Sequence, residues 1–424
     1  MRIRIRGAGQ LAIALHLAIG AAGAQSAEDG RLARFKEKVR QDMLSVPNYT
    51  CLETIDRARR EPHSRDFKHT DTIRLEVSSV SGKELFAWPG SRQFEDRELT
   101  TMITTGTIGS GMFATFARNL FVGDKGTRQY AGEENLNGHA SVRYDFQLTA
   151  EESHWEIRIA DADEIVGAKG SFWFDPASLD LLRFIVHADS IPYKLRLEDV
   201  STDTEYARVR INETDALLPK RSELTLAHFT GEASRTLTQF SQCRAYLSQS
   251  TISFDAPPTS PGEAPKPQVR EIDLPAGLFV PVQLEAALDT KTASVGDTVR
   301  ARVIEDVRHN HEVVLPRGAM LTGHIRRMGR VSASTPFMVG IDLSEVEWTG
   351  AHGAFYAALA DVDAKSAGQH RPLTFFDGHA QKVLIGDEIP GAGIIYFKAA
   401  AFRIASGFRM TWRTLGRPPG DEQQ

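Results

Sequence analysis

The sequence lacks a large excess of charge of either sign, and the apolar run near its start is short. Its 50 lysines and arginines are nearly balanced by 55 aspartates and glutamates. This balance offers no electrostatic basis for binding nucleic acid, which is not expected as a partner. The apolar run, Leu11 to Ile19, is shorter than the roughly 20 residues of a transmembrane helix. At 424 residues the chain is predicted to form two domains.

The N-terminus has the three parts of a secretory signal peptide. Arg2, Arg4 and Arg6 precede the apolar run, and Ala22-Gly23-Ala24 supplies a small-x-small cleavage site. We predict a signal peptide over residues 1–24, cleaved after Ala24, with an uncleaved anchor as the alternative. No cysteine directly follows the cut, which disfavours a lipid anchor on the protein itself. The mature chain is therefore expected in the periplasm or secreted, without an integral membrane segment.

Cysteine is scarce, since Cys51 and Cys243 are the only two. In an oxidising compartment, two thiols within one domain more often pair than remain free. We predict a disulfide bond between them, with two separate buried thiols as the alternative.

Proline is concentrated in one stretch, where five of the 19 prolines lie between Asp255 and Arg270. Such a composition cannot pack into a core and is typical of an extended linker. We therefore predict a first domain over 31–255, a disordered linker over 256–270, a second domain over 271–417 and a disordered tail over 418–424.

The first domain has the pattern of long antiparallel strands with two helices. Apolar residues recur at helical spacing from Leu32 to Met43, before Pro47 ends the helix. The centre of the predicted sheet is GSFWFDPASLDLLRF, Gly170 to Phe184, which forms two apolar strands around an Asp-Pro turn. The predicted class is α+β, mostly antiparallel β.

A second predicted helix interrupts these strands and is rich in aromatic residues. Three glycines, Gly106, Gly109 and Gly111, lead into it. Its apolar side chains at helical spacing include Phe113, Phe116, Leu120 and Phe121. Such a helix must bury this face against the sheet, either as an ordinary packing helix or as a plug over a hydrophobic cup.

The second domain shows short strands at regular spacing without helical periodicity. Turn signals separate these strands, for example at Gly296-Asp297 and at Pro316-Arg317-Gly318. The pattern predicts a small β-barrel or sandwich.

Each motif that suggests a reaction or a metal site lacks a required part. His63, Asp66 and His69 are ligand types, but no helix-borne His-x-x-x-His with a glutamate accompanies them. The other candidates are His309-Asn310-His311, Leu288-Asp289-Thr290, Ser110 between two glycines, and the acidic group Asp161, Asp163 and Glu164. Turn chemistry or solvated loops explain them better. We expect no catalytic residues, no metal and no cofactor. An enzymatic function, as a hydrolase, is the third hypothesis, after a binding role and a scaffolding role.

The first domain resembles the periplasmic lipoprotein-carrier and sigma-E-regulator (LolA/RseB-like) superfamily. The resemblance covers roughly residues 31–255 and lies in the amphipathic N-terminal helix, the long strands, the glycine-led helix and GSFWFDPASLDLLRF. Segments such as YTCLETIDR and GTIGSGMF are also similar to a family of exported acidobacterial proteins. The second domain, through VGDTVRARVIEDV and VVLPRGAMLTGHI, resembles the TrbI-like β-barrel of conjugation proteins, from which only the fold is taken.

The resemblance to the carriers implies a curved half-barrel around an apolar cavity that helices close and that holds acyl chains. The implied cavity wall comprises Phe172, Phe174, Leu182 and Phe184, and the implied plug comprises Phe113, Phe116, Leu120 and Phe121. The expected function is non-enzymatic binding of a lipid or of the acyl chain of a lipoprotein. The alternative is an envelope scaffold that binds protein partners and no small ligand.

Overall fold

The structure, a computed structural model, describes residues 11–80, 83–91, 94, 99–109, 116–159, 162–246, 270–330, 335–377 and 380–416, with backbone only for 11–27 and 270–271. Contacts divide the chain into two compact units. Unit 1 consists of Met1–Tyr49, Arg59–Phe67 and Leu99–Ala245, and unit 2 of Thr50–Ala58, Lys68–Glu98 and Tyr246–Gln424. Almost all of the predicted linker (256–270) and the whole predicted tail (418–424) lie outside the described residues, so the predicted domain limits stay predictions.

Among the described residues the helical elements are few, and one of them is long. They are α1 (Leu11–Ser45), α2 (Leu99–Met102), α3 (Ala150–Ser153), a π-helical turn at Arg118–Val122 and 3₁₀ turns at Tyr193–Leu195 and Ala364–Ala367. The helix predicted from Leu32 to Met43 lies within α1, which ends two residues before Pro47. Within the described part of the chain, no helix has the length and apolarity needed to cross a bilayer.

The strands of the first half of the chain are long and antiparallel. They are β1 (Tyr49–Arg60), β2 (Lys68–Val80), β3 (Lys83–Ala87), β4 (Thr127–Leu136), β5 (His139–Leu148), β6 (Trp155–Ile159), β7 (Ala162–Phe174), β8 (Leu181–Asp189), β9 (Leu197–Ile211), β10 (Thr214–His228) and β11 (Ala233–Ala245). In unit 1 the order is β11-β10-β9-β8-β7-β5-β4, with β6 paired to β7. This is one dominant curved sheet, as predicted.

The predicted central hairpin is confirmed as β7 and β8. Phe172 lies opposite Phe184 across the two strands. Between the strands, the Asp175 carboxylate accepts hydrogen bonds from the backbone amides of Ala177 and Ser178 at 2.7 and 2.9 Å. This closed Asx-type turn is the chemistry that the Asp-Pro sequence indicated.

The second half of the chain consists of short strands. They are β12 (Arg270–Glu271), β13 (Phe279–Leu284), β14 (Leu288–Asp289), β15 (Thr298–Val303), β16 (Val307–His309), β17 (Glu312–Leu315), β18 (Met320–Gly329), β19 (Phe337–Asp342), β20 (Glu345–Trp348), β21 (Ala351–Ala354), β22 (Ala357–Val362), β23 (Thr374–Asp377), β24 (Ala380–Val383), β25 (Ile385–Gly386), β26 (Ala392–Phe397), β27 (Arg403–Ile404) and β28 (Arg409–Thr414). The main sheet of unit 2 has the order β12-β21-β20-β18-β15-β13-β28-β22, and β18 also pairs with β19 and β19 with β26.

These pairings make the C-terminal part of unit 2 barrel-like. β18 pairs with β15 and β20 in the main sheet and also with β19. From β19 the pairing continues to β26, which leads back toward β22. There a side chain on Gly393 would place its Cβ 2.2 Å from the Cβ of Leu359, so only glycine permits this approach. Trp412 is fully buried in this unit. Of the two predicted alternatives, a small β-barrel or a sandwich, this arrangement agrees with the barrel.

Unit 2 also contains β2 and β3, which the sequence analysis assigned to the first domain. The Arg74 guanidinium binds the Asp297 carboxylate at 2.7 and 2.9 Å. Trp88, just after β3, stacks on His324 with ring centroids 6.0 Å apart. Arg57 and Asp71 form a buried bidentate ion pair at 2.7 and 2.6 Å.

Glu53 on β1 gives unit 2 a dependence on pH. Its side chain is buried, and burial, together with the nearby charge of Glu84, raises its pKa to about 8. The folded state therefore keeps a proton that the unfolded state loses near its ordinary pKa of 4.5. Stability from this group is complete below that value and is lost as the pH rises toward the folded pKa.

We expect the contribution of Glu53 to the free energy of unfolding to fall by about 2 kcal/mol between roughly pH 5.5 and 7, because each unit of pKa difference corresponds to about 1.4 kcal/mol. Urea unfolding at several pH values measures this slope. Glu53→Gln should flatten it, whereas Glu213→Gln, at an exposed turn, should leave it unchanged. Parallel profiles for the wild type and Glu53→Gln would contradict the assignment.

Candidate functional site

The inner face of the unit 1 sheet carries a continuous aromatic cluster. Side chains alternate between the two faces of a strand, so Phe172 and Phe174 of β7 face inward together while Trp173 faces outward. Tyr144 of β5 stacks on Phe172 at 5.6 Å, and Phe184 of β8 lies 6.5 Å from Phe172 between ring centroids. The strands thus align their aromatic positions on one side of the sheet.

Helix α1 packs directly on this cluster through Phe35. Its ring stacks on Phe174 at 4.1 Å and on Phe172 at 5.5 Å between centroids, and none of its surface is exposed. The Tyr144 hydroxyl donates to the Glu28 carbonyl oxygen at 3.0 Å, which attaches the helix to β5. Burial raises the pKa of that hydroxyl to about 12, so it remains a donor at physiological pH.

The π-helical turn at Arg118–Val122 contains two of the predicted plug residues, Leu120 and Phe121, and a third, Phe116, lies two residues before it. Phe121 meets Phe172 edge-on at 5.0 Å, Phe116 meets Trp155 at 5.0 Å, and Leu120 is fully buried. The fourth, Phe113, lies outside the described residues. The Gly123 amide donates a hydrogen bond to the Arg118 carbonyl at 2.8 Å. This bond joins residues five apart, as in a π-helix, instead of four apart, as in an α-helix.

One wall residue lies elsewhere than predicted. Continuing the alternation back from Phe184 puts Leu182 on the inner face. A β-bulge after Trp173 instead pairs Phe174 with Leu181, and Leu181 is the residue buried in the cluster. Leu182 is half-buried and lies outside the cluster. Only the pairing of two strands reveals a bulge, so the sequence carried no signal for it.

Other members of the cluster were missed as site residues, and two of them, Phe35 and Trp155, belong to patterns that were visible in the sequence. Phe35 belongs to the helical spacing of the N-terminal helix, and Trp155 to a strand with strict alternation. Both lie in the cluster with the predicted residues. Aromatic side chains fill the space between sheet and helix, so an apolar chain would enter only if some of them moved aside.

The remaining candidates behave as turns or structural elements. Asn310 and His311 have positive φ values of 50° and 70° in the turn between β16 and β17. Leu288 and Asp289 form β14, which pairs with β27. Across the described residues, no three His, Cys, Asp or Glu side chains are grouped as metal ligands would be. Ser110 and Asp161 lie outside those residues.

The predicted disulfide is confirmed. Cys51 and Cys243 are bonded to each other. Cys51 lies on β1 and is buried, and Cys243 lies near the end of β11.

No protein-family model and no curated protein matches the chain. Among solved structures, a domain named as an outer membrane lipoprotein-sorting protein, from Vibrio parahaemolyticus, is similar at 10% identity and a TM-score of 0.28, over 51% of this chain and 93% of that one. A LolA superfamily protein from Nitrosomonas europaea is similar at 11% identity and a TM-score of 0.25, over 50% and 93%. The MucA/MucB complex of Pseudomonas aeruginosa is similar at 12% identity and a TM-score of 0.17, over 92% and 94%. TM-scores of this size leave the function to be argued from the residues of this chain.

Proposed function

We propose that this is an exported, non-enzymatic protein of the cell envelope that binds an apolar chain in unit 1, such as the acyl chain of a lipid or lipoprotein. The observation that supports the proposal is the aromatic cluster between the sheet and α1. Its members come from both the sheet and the helical segments, so separating these elements exposes apolar surface on both sides. An acyl chain is the kind of ligand that covers two such surfaces at once.

The energy balance supports such an exchange. Burying a methylene group contributes about 0.8 kcal/mol, so a long acyl chain contributes on the order of 10 kcal/mol. Removing one phenyl ring from a packed core costs about 3–5 kcal/mol. The free energy gained by burying the acyl chain therefore exceeds the cost of displacing a side chain such as Phe121.

Quenching of tryptophan fluorescence by a brominated palmitate tests the proposal. Trp155 lies in the cluster against Phe116, whereas Trp173 lies on the opposite face of β7 beneath Arg143 and Arg183. We expect saturable quenching in the wild type and in Trp173→Phe, and its loss in Trp155→Phe. Unsaturable quenching, or quenching retained in Trp155→Phe but lost in Trp173→Phe, would contradict binding at this site.

A second candidate function is binding to an envelope protein. Tyr193 and Phe229 stack on each other at 5.6 Å, yet they are 81% and 55% exposed. A paired aromatic surface of this kind is typical of protein interfaces. Crosslinking to a defined partner that Tyr193→Ser/Phe229→Ser abolishes, with acyl-chain binding absent, would favour this function.

A further inference from the structure

Unit 2 has a groove that the proposed function does not use. Two clefts of about 780 and 310 Å³ adjoin each other and share Arg302, Arg317 and Gly318 in their walls. Together they have the size of sites that hold small organic ligands. The larger cleft is bordered by Met320 and Trp348.

The strand register shows that the groove follows one row of side chains across the sheet. Gln283 of β13 lies directly opposite Arg409 of β28 on one side and Arg302 of β15 on the other. Arg302 lies opposite Met320 of β18, which lies opposite Glu347 of β20. Directly opposed residues point to the same face of a sheet. With strands about 4.8 Å apart, the five positions span roughly 19 Å.

One end of this row is basic and the other end is apolar. Arg409, Gln283 and Arg302 occupy one end, and Arg317 joins them at the smaller cleft. Met320 and the half-buried Trp348 form the apolar other end, with Glu347 beside them. The two ends therefore suit different parts of one ligand.

The charge at the arginine end is incompletely neutralised. Arg302 binds the Glu285 carboxylate at 2.8 and 2.9 Å. Among the described residues, the side chains of Arg317 and Arg409 form no ion pair. The side chains of Arg317 and Arg409 thus have no carboxylate partner among the described residues, and a doubly charged anion would neutralise them.

Backbone contacts hold Arg317 in place. The Arg317 amide donates to the Asp306 carboxylate at 2.8 Å, and the Gly318 amide donates to the Val303 carbonyl at 2.9 Å. Gly318 has a φ of +91°, which a side chain would strain. The turn therefore holds the backbone of Arg317 in a fixed position, so that binding has to order its side chain alone.

We propose that this groove binds a phosphate ester carried on an apolar body. The phosphate lies among Arg302, Arg317, Arg409 and the Gln283 amide, and the apolar body lies over Met320 and Trp348. Arginine forks match phosphate oxygens in geometry and charge. Glu347 at the apolar end lies 3.7 Å from the Arg300 guanidinium. That end therefore has no excess positive charge for a ligand that is anionic along its whole length, so a polyanion such as nucleic acid is disfavoured.

Calorimetric titration of the full mature chain with three probes tests the proposal. The probes are inorganic phosphate, phenyl phosphate as a soluble ester, and dihexanoyl phosphatidic acid below its micelle concentration as a lipid headgroup that is also a phosphate monoester. We expect at least one ester to bind tenfold or more tightly than inorganic phosphate. Binding of either ester supports the proposal, and the tighter of the two identifies the source of the phosphate.

Substitutions test the contributions of the two ends of the groove separately. Arg317→Ala/Arg409→Ala should weaken binding of the tighter ester at least tenfold, and Trp348→Ala should reduce its advantage over inorganic phosphate. Arg413→Ala is the matched control, because Arg413 is exposed on the same strand as Arg409 but lies outside both clefts. Both substituted arginines are exposed, and thermal melts verify folding. Absence of saturable binding to both esters, or equal affinity of the wild type and the double variant, would overturn the proposal.

Discussion

Reduction of the Cys51–Cys243 disulfide is expected to lower the free energy of unfolding by roughly 5 kcal/mol, because the bond closes a loop of about 190 residues in the unfolded chain. Loop closure removes conformational entropy from the unfolded state, and the amount grows slowly with loop length. Urea unfolding of the oxidised and the reduced protein, followed by circular dichroism, measures the difference.

The double variant Cys51→Ser/Cys243→Ser provides the control for this experiment. It should unfold at the urea concentration of the reduced wild type, and a reductant should leave its midpoint unchanged. If the reduced and oxidised wild type had the same midpoint, the bond would not stabilise the fold.

Replacement of Phe35 by alanine is expected to destabilise unit 1 by about 3–5 kcal/mol, the usual cost of removing a buried phenyl ring. Phe35 is the residue through which α1 contacts Phe172, Phe174 and Phe121. Its loss leaves a cavity bordered by three aromatic rings that strands and a turn hold in place. The urea midpoint should fall with little change in the slope of the transition.

Leu44→Ala on the same helix is the matched control, because the Leu44 side chain is 63% exposed. Its effect should stay within about 0.5 kcal/mol, as for most surface substitutions. An equal loss of stability in both variants would contradict packing of Phe35 on the sheet as the cause, because alanine itself favours the helix.

Features that depend on local pattern were predictable from the sequence. The helical spacing of Leu32 to Met43, the alternation around Phe172 and Phe174, and the Asp175 turn all appear in the structure where the sequence places them. Each of these signals lies within about 20 residues of chain, where periodicity alone tells which side is apolar.

Features that depend on register were not predictable. The exchange of Leu182 for Leu181 follows from a bulge, which exists only in the pairing of two strands. The binding of Arg74 to Asp297 joins residues more than 200 positions apart. No periodicity in either segment indicates the other.

The sequence by itself determined which residues of unit 1 are apolar, where its central hairpin turns and which two cysteines were available for a bond. Side-chain periodicity and turn chemistry are local, so they can be read before the chain is folded. The tertiary structure alone decided that Phe35 completes the aromatic cluster and that Arg302, Gln283 and Arg409 share one row. These residues come from elements that are distant in the chain, and only the packing of helix on sheet and the alignment of strands bring them together.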